Sequence, residues 1–510
     1  MKKTLLNARV NLIFYFITLV LSCFSRKIFL DCLGADFIGL TGSLGSLLGF
    51  LNLAELGIGS AIGYVLYKPL FDKDQQKICE IISVFGYLYR WVGIVILTGG
   101  LILAGFFPMI YPDTGFDYGI IYFAYFSFLF SSLIGYFVNY RQTLLGADQR
   151  NYVVTAYFQT ANLIKILIQM LLAYYTGSYY WWVVIEFVFG ILYAIIHNWK
   201  INQVYPWLKT DIRSGKDLRK KYPEIIKYTK QLFIHKIGTV VIFQITPFLI
   251  YAFSTLQYVA YYGNYTTVTS KLQSLLGSFL GSTEASVGNL IAEGNKDRIL
   301  RVYWELSAIR FFVTTIFAFA LYNLLPPFIE LWLGNEYLMS ETILLILIIN
   351  FGMNIIREVT DHYKNGYGIF YDVWSPFIEA IISLSVAVLC GMKWGLEGVL
   401  MGNITSNIII VFGWRPYILF KIGMKVSLWN YIGNFSRNII VMIGSLYLST
   451  IIKNILVPNE IGNESWLFWI VFSIICVIII AITSLFAMII FIPGMRSFIS
   501  RINMANLLRR

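Results

Sequence analysis

The sequence predicts an all-α polytopic membrane protein of about fourteen transmembrane helices, built as two six-helix lobes related by a parallel repeat plus two additional C-terminal helices. Three observations predict this. The composition suits a lipid solvent, apolar runs of bilayer length recur from end to end, and the two halves of the chain echo each other.

The residues are 58% hydrophobic and 13% charged, with a mean hydropathy of +0.70, whereas soluble domains carry about 25% charged residues. The net charge of +12 does not point to nucleic acid, because the charges lie in short loops between apolar runs, where they set membrane orientation. Cys23, Cys32, Cys79, Cys390 and Cys476 form no CxxC pair and no disulfide framework, and read as packing residues. Val20-Leu21-Ser22-Cys23 loosely resembles a lipoprotein cleavage box, but apolar sequence continues through Leu33 with no small-residue cleavage site. The expectation is an uncleaved first helix.

With about 20 apolar residues per span, the runs fall at 8–31, 38–66, 81–107, 118–140, 152–175, 180–197, 231–253, 258–290, 303–325, 341–362, 370–391, 397–414, 436–456 and 467–492. Alternate loops are basic: Lys2, Lys3 and Arg9; Lys68, Lys73 and Lys77; Arg141 and Arg150; Lys296, Arg298 and Arg301; Arg415, Lys421, Lys425 and Arg437; Arg496, Arg501, Arg509 and Arg510. The opposite loops are short and acidic, with Asp31, Asp36, Asp113, Asp117, Glu330, Glu336, Glu341, Glu397, Glu460 and Glu464. The positive-inside rule then places both termini and the basic loop in the cytoplasm. The domain organisation expected is a six-helix lobe over 1–197, a basic cytoplasmic linker over 198–230, a second lobe over 231–425, and two helices with a basic tail over 426–510. The linker reads as a solvated segment that meets anionic lipid headgroups.

Asp36-Phe37-Ile38-Gly39-Leu40-Thr41-Gly42 opens the second span as Gln257-Tyr258-Val259-Ala260-Tyr261-Tyr262-Gly263 opens the eighth, and Ser60-Ala61-Ile62-Gly63 pairs with Ala285-Ser286-Val287-Gly288. Both spans enter the membrane in the same direction. That pattern describes a parallel repeat about the membrane normal, a transporter plan with its substrate site at the repeat interface.

Ionisable groups inside spans cost about 2.5–3.5 kcal/mol each on insertion scales and mark wet cavities, ion pairs or snorkelling. Lys236, Glu305, Arg310, Asp361 and His362 lie within two turns of a cytoplasmic helix end and read as snorkelling. Arg26, Lys27, Arg90, Lys165, Lys271 and Arg357 are the candidate cavity cations, and Glu55 and Glu186 the candidate coupling acids. Arg357 and Glu358 are chain neighbours on a helix and do not face each other. A mostly cationic cavity suits an anionic substrate, since Arg and Lys both bind phosphate. The glycines from Gly39 to Gly63, at three- and four-residue spacing, read as helix-packing positions, with a moving bend as the added hypothesis.

Enzyme motifs are absent from the sequence: no P-loop, HExxH or GxSxG occurs, and the three histidines lie near the cytoplasmic side. The chain is expected to be a non-enzyme without cofactor or metal. The alternative of another class is a membrane polymerase or glycosyltransferase of lipid-linked sugars, which short external loops disfavour.

Leu33-Gly34-Ala35-Asp36-Phe37-Ile38-Gly39-Leu40, followed by Leu53-Ala54-Glu55-Leu56-Gly57-Ile58-Gly59-Ser60-Ala61-Ile62, resembles the polysaccharide transporter (O-antigen and oligosaccharide-lipid flippase) family of the multidrug/oligosaccharidyl-lipid/polysaccharide (MOP) exporter superfamily. Tyr67-Lys68-Pro69-Leu70 before a short charged loop is also similar. The resemblance is strongest over residues 1–80. It implies flipping of an undecaprenyl-diphosphate-linked glycan from the cytoplasmic to the outer leaflet for O-antigen or capsule synthesis. It also implies a V-shaped pair of lobes, alternating access, and membrane lipids and a coupling cation (H+ or Na+) as partners. Related lipid II flippases carry cavity arginines on the first and eighth spans. Phe24-Ser25-Arg26 matches the first, and Lys271 stands at the second as a lysine. Their second-span arginine is missing here, where Asn52 and Leu53 stand. By this resemblance Arg26 and Lys271 are expected to face one central cavity and hold the diphosphate. A multidrug/cation antiporter of the same superfamily is the alternative.

Overall fold

A computed structural model describes residues 2–507 except 56–57, 113, 149, 151, 281–282, 370–371, 373 and 458–464. Every regular element among the described residues is helical. The chain divides into two compact units, 1–260 and 261–510.

The first unit opens with α1 (Lys2–Leu51), which turns at Gly34 with φ 82°, so the first two expected spans join without a loop. That backbone conformation costs glycine little. A short 3-10 turn, Asn52–Glu55, then interrupts the second span before α2 (Ile58–Asp72). Asp74 caps α3 (Gln75–Gly105) by accepting the Lys77 N–H at 3.0 Å, and Asp117 caps α4 (Tyr118–Phe137) through Gly119 N–H at 3.1 Å. These caps satisfy helix-end donors that have no intrahelical partner. α5 (Tyr152–Thr176), α6 (Tyr179–Val204) and α7 (Pro223–Phe253) follow. α5 packs on α1 and α6, and α7 packs on α1 and α2.

The linker departs from the expectation of a solvated segment. It lies as a strap along the start of α3. Tyr205, Leu208, Tyr222 and Ile225 are buried, Lys221 and Tyr222 both donate to Glu80 at 2.6 Å, and the Asp211 N–H donates to Ser83 Oγ at 3.0 Å. Burial and the Glu80 carboxylate push the Tyr222 phenol above its ordinary range. The charge run hid these interspersed apolar side chains, each worth about 1.5–3 kcal/mol when buried.

In the second unit α8 (Leu256–Leu280, which begins in the first) and α9 (Thr283–Ala292) precede the long α10 (Lys296–Trp332). Then come α11 (Glu341–Gly366) and α12 (Ser375–Ser406), which runs on through a π-helical stretch, Asn407–Trp414. α12 is broken at Gly395, where φ is 55°. The chain reverses there, because a Cβ on Gly398 would lie 2.1 Å from the Cys390 carbonyl oxygen and one on Gly402 2.3 Å from that of Ser383. The nine described segments long and apolar enough to cross a membrane include this one as a single run, Ser375–Met424, so it supplies two expected spans. α13 (Leu428–Leu456), α14 (Trp466–Phe491) and α15 (Pro493–Leu507) close the chain, and all three pack on α10.

α10 also overturns the snorkelling reading. Arg310 is 3% exposed and Glu305 2% exposed. Arg310 donates to Glu358 and to the Leu280 carbonyl at 3.0 Å. Glu305 accepts from Ser497 at 2.5 Å and meets Arg501 at 2.9 Å. Asp361 is ion-paired with Arg415, and His362 is buried. Neighbouring helices cover these helix ends, and a covered charge is retained only when paired. The side chain of Lys236 lies outside the described residues.

Candidate functional site

In the first unit the break in the second span positions a polar site. Asn52 and Glu55 project from the 3-10 turn, and α3 and α4 bring aromatic donors to them. Tyr89 donates to Glu55 Oε1, and Tyr136 donates to Glu55 Oε2 at 2.8 Å and to Asn52 Oδ1 at 3.1 Å. Ser132 donates to the same Asn52 oxygen at 3.2 Å. A cavity of about 610 Å³ opens here, with Tyr67, Asn139, Tyr140, Gln142 and Thr143 on its wall and glycines 59, 63, 135 and 146 leaving it wide. Among the described residues its lining contains one carboxylate, no Lys or Arg, and no large aliphatic side chain. The glycine series therefore serves two purposes. A Cβ on Gly39 would meet the Leu256 carbonyl oxygen at 1.9 Å, a packing position, whereas one on Gly63 would meet nothing within 4 Å.

Lys165 and Glu186, expected in separate roles, form one ion pair at 2.9 Å. Gln169 braces it, donating to Glu186 Oε2 and to the Trp182 carbonyl, each at 3.1 Å. Arg26 is half-buried and donates to the Ala260 carbonyl at 3.0 Å. Lys27 and Arg90 are exposed.

The second unit gathers a charge quartet from α11, α12 and the segment after it, with Glu379 and Arg415 buried and Arg357 and Asp361 half-buried. Arg415 reaches Asp361 at 2.8 Å and Glu379 at 2.6 Å, and Arg357 reaches the same two carboxylates at 3.5 and 3.9 Å. Arg357, a candidate cavity cation, thus lies between two acids in a balanced cluster. Lys271 is half-buried on α8. Arg415 was assigned to a loop from the sequence. The signal for its burial was apolar sequence on both sides, Ile408-Ile409-Ile410-Val411-Phe412 before it and Tyr417-Ile418-Leu419-Phe420 after. Tyr89 and Tyr136 carried no sequence signal, since tyrosines are frequent throughout the chain.

A second cavity, about 600 Å³, lies among α10, α11, the π-helical stretch and α13. Phe311, Phe319, Ile348, Met353, Phe435 and Met442 line it, and exposed Leu345, Ile349 and Ile408 stand on its wall.

Against known proteins, no family model and no curated protein matches the sequence. Solved structures do match. A lipid II flippase, MurJ, in an inward closed conformation aligns with a TM-score of 0.60 at 17% identity, covering 92% of this chain and 97% of its own. An inward-facing multidrug resistance MATE family transporter of the MOP superfamily aligns at 0.58 and 15% identity, covering 80% and 97%. The chain has the fold of these membrane transporters. Among the described residues, no group of three or more His, Cys, Asp and Glu side chains is placed to hold a metal ion.

Proposed function

We propose that the protein is a flippase that carries an undecaprenyl-diphosphate-linked oligosaccharide from the cytoplasmic to the outer leaflet of the inner membrane by alternating access, with both termini and the strap in the cytoplasm. The observation that carries this reading is the apolar cavity of the second unit, which offers a prenyl chain a long hydrophobic wall. The wider coverage by the lipid II flippase than by the multidrug transporter supports it, the difference being about two spans. Purified protein in vesicles should move a fluorescent glycan-bearing prenyl diphosphate and leave ethidium in place. Ala318→Trp, which fills the apolar cavity, should slow that movement about tenfold at a normal melting temperature. Ethidium transport without lipid movement would replace this reading with the antiporter one, which the comparable TM-score of the multidrug transporter favours.

Glu55 is the acid we assign to the coupling cation, because its described partners are neutral hydroxyls, whereas Lys165 already balances Glu186. In the same vesicles Glu55→Gln should abolish the response of transport to imposed proton and sodium gradients, and Glu186→Gln should retain it. An unchanged response in Glu55→Gln removes the assignment.

A further inference from the structure

The geometry points to the polar cavity of the first unit as a binding site for the uncharged sugar rings of the substrate, separate from whatever holds its diphosphate. This rests on the flippase reading above and assigns part of the headgroup to named residues.

The lining decides the ligand class. Among the described residues Glu55 is the single charged one on the wall, with no Lys or Arg, so a diphosphate would meet repulsion there and no described counter-charge. With no large aliphatic side chain among the described residues of the wall, a prenyl tail would gain little apolar burial from them. What remains is rich in hydroxyl, amide and phenol groups, which match a polyol that both donates and accepts hydrogen bonds. The volume of about 610 Å³ falls in the range of about 300–1,000 Å³ typical of small-ligand sites. Exposed Tyr67 on the wall offers a sugar ring a flat apolar face.

The site is also held in shape without a ligand. Tyr89 and Tyr136 are tethered to Glu55. The rim that carries Gln142 and Thr143 is pinned beside Tyr140, whose hydroxyl bonds Thr210 of the strap at 2.9 Å. Arg141 donates to Asn202 at 2.8 Å and to Asn198 at 2.5 Å. Such pre-organisation reduces the ordering cost of binding. The strap thus shapes this rim.

Gly63 and Gly135, on α2 and α4, are the places to fill the cavity, because a Cβ on either meets nothing within 4 Å. The test compares a glycan-bearing prenyl diphosphate with the bare prenyl diphosphate in competition, using the full chain in vesicles. Gly63→Phe and, independently, Gly135→Phe should lower the ratio of glycan-bearing to bare lipid transported about tenfold. Melting curves like that of the unaltered protein identify variants that are folded. A ratio within about twofold of the unaltered protein in both folded variants overturns the sugar site and leaves the flippase reading standing. Failure of the unaltered protein to move either lipid overturns both. Ethidium transport by the unaltered protein that is lost in Gly63→Phe would instead make the cavity a site for a large organic cation, beyond the small coupling ion assigned to Glu55, and overturn the proposal.

Discussion

Arg415→Ala should strip the second unit of about 3–5 kcal/mol, the cost of leaving a buried charge without its partner. The guanidinium is held by Asp361 at 2.8 Å and Glu379 at 2.6 Å, and Arg357, at 3.5 and 3.9 Å, is too far to replace both bonds. The two carboxylates would then share one distant cation. Little folded protein should survive solubilisation, and Arg415→Lys should rescue poorly, because an ammonium cannot reproduce the fork that reaches both acids. The double variant Arg415→Ala with Glu379→Ala leaves Arg357 opposite Asp361, one charge of each sign. It should recover a substantial part of the lost melting temperature. An Arg415→Ala protein that melts like the unaltered chain would show that the quartet contributes nothing to stability.

Arg26→Ala and Lys271→Ala should each reduce transport of the glycan lipid by about a hundredfold, ~2.7 kcal/mol, at normal protein levels. The argument is electrostatic. Both are cations within apolar spans, where a positive charge is costly to keep, and an anionic headgroup supplies a reason to keep it. Arg26 donates to the Ala260 carbonyl at 3.0 Å. Arg26→Lys should therefore retain partial transport, as a point charge in place of a fork. Lys165→Ala serves as the contrast: its ion pair with Glu186 makes its loss a matter of stability first. Normal transport by the Arg26 and Lys271 alanine variants would end their assignment to the headgroup.

Which carboxylate faces which cation is where the sequence was least legible. The spacing of charges predicted that Arg357 and Glu358 would not face each other, and each indeed pairs elsewhere, Arg357 with Asp361 and Glu379, and Glu358 with Arg310. Snorkelling was the wrong expectation for Arg310 and Glu305, because distance to a helix end says nothing about what covers that end. The Lys165–Glu186 pair was closer to readable. The two residues lie on consecutive helices joined by the tight turn at Gly177, each a few helical turns from it.

The sequence by itself determined that this chain is an all-helical membrane protein with about fourteen apolar runs, because transfer of a segment into lipid depends on the side chains of that segment alone. It also marked the second span as unusual, through its glycines. Only the tertiary structure decided that this span breaks at Asn52–Glu55, that Tyr89 and Tyr136 close on Glu55, and that the basic linker docks on α3 through Glu80. Arg415 and Asp361 are 54 residues apart, and Tyr136 and Glu55 are 81 apart. Contacts at such separations are selected by helix packing, in which the partner of a buried polar group is whichever complementary side chain the neighbouring helix brings within hydrogen-bond reach.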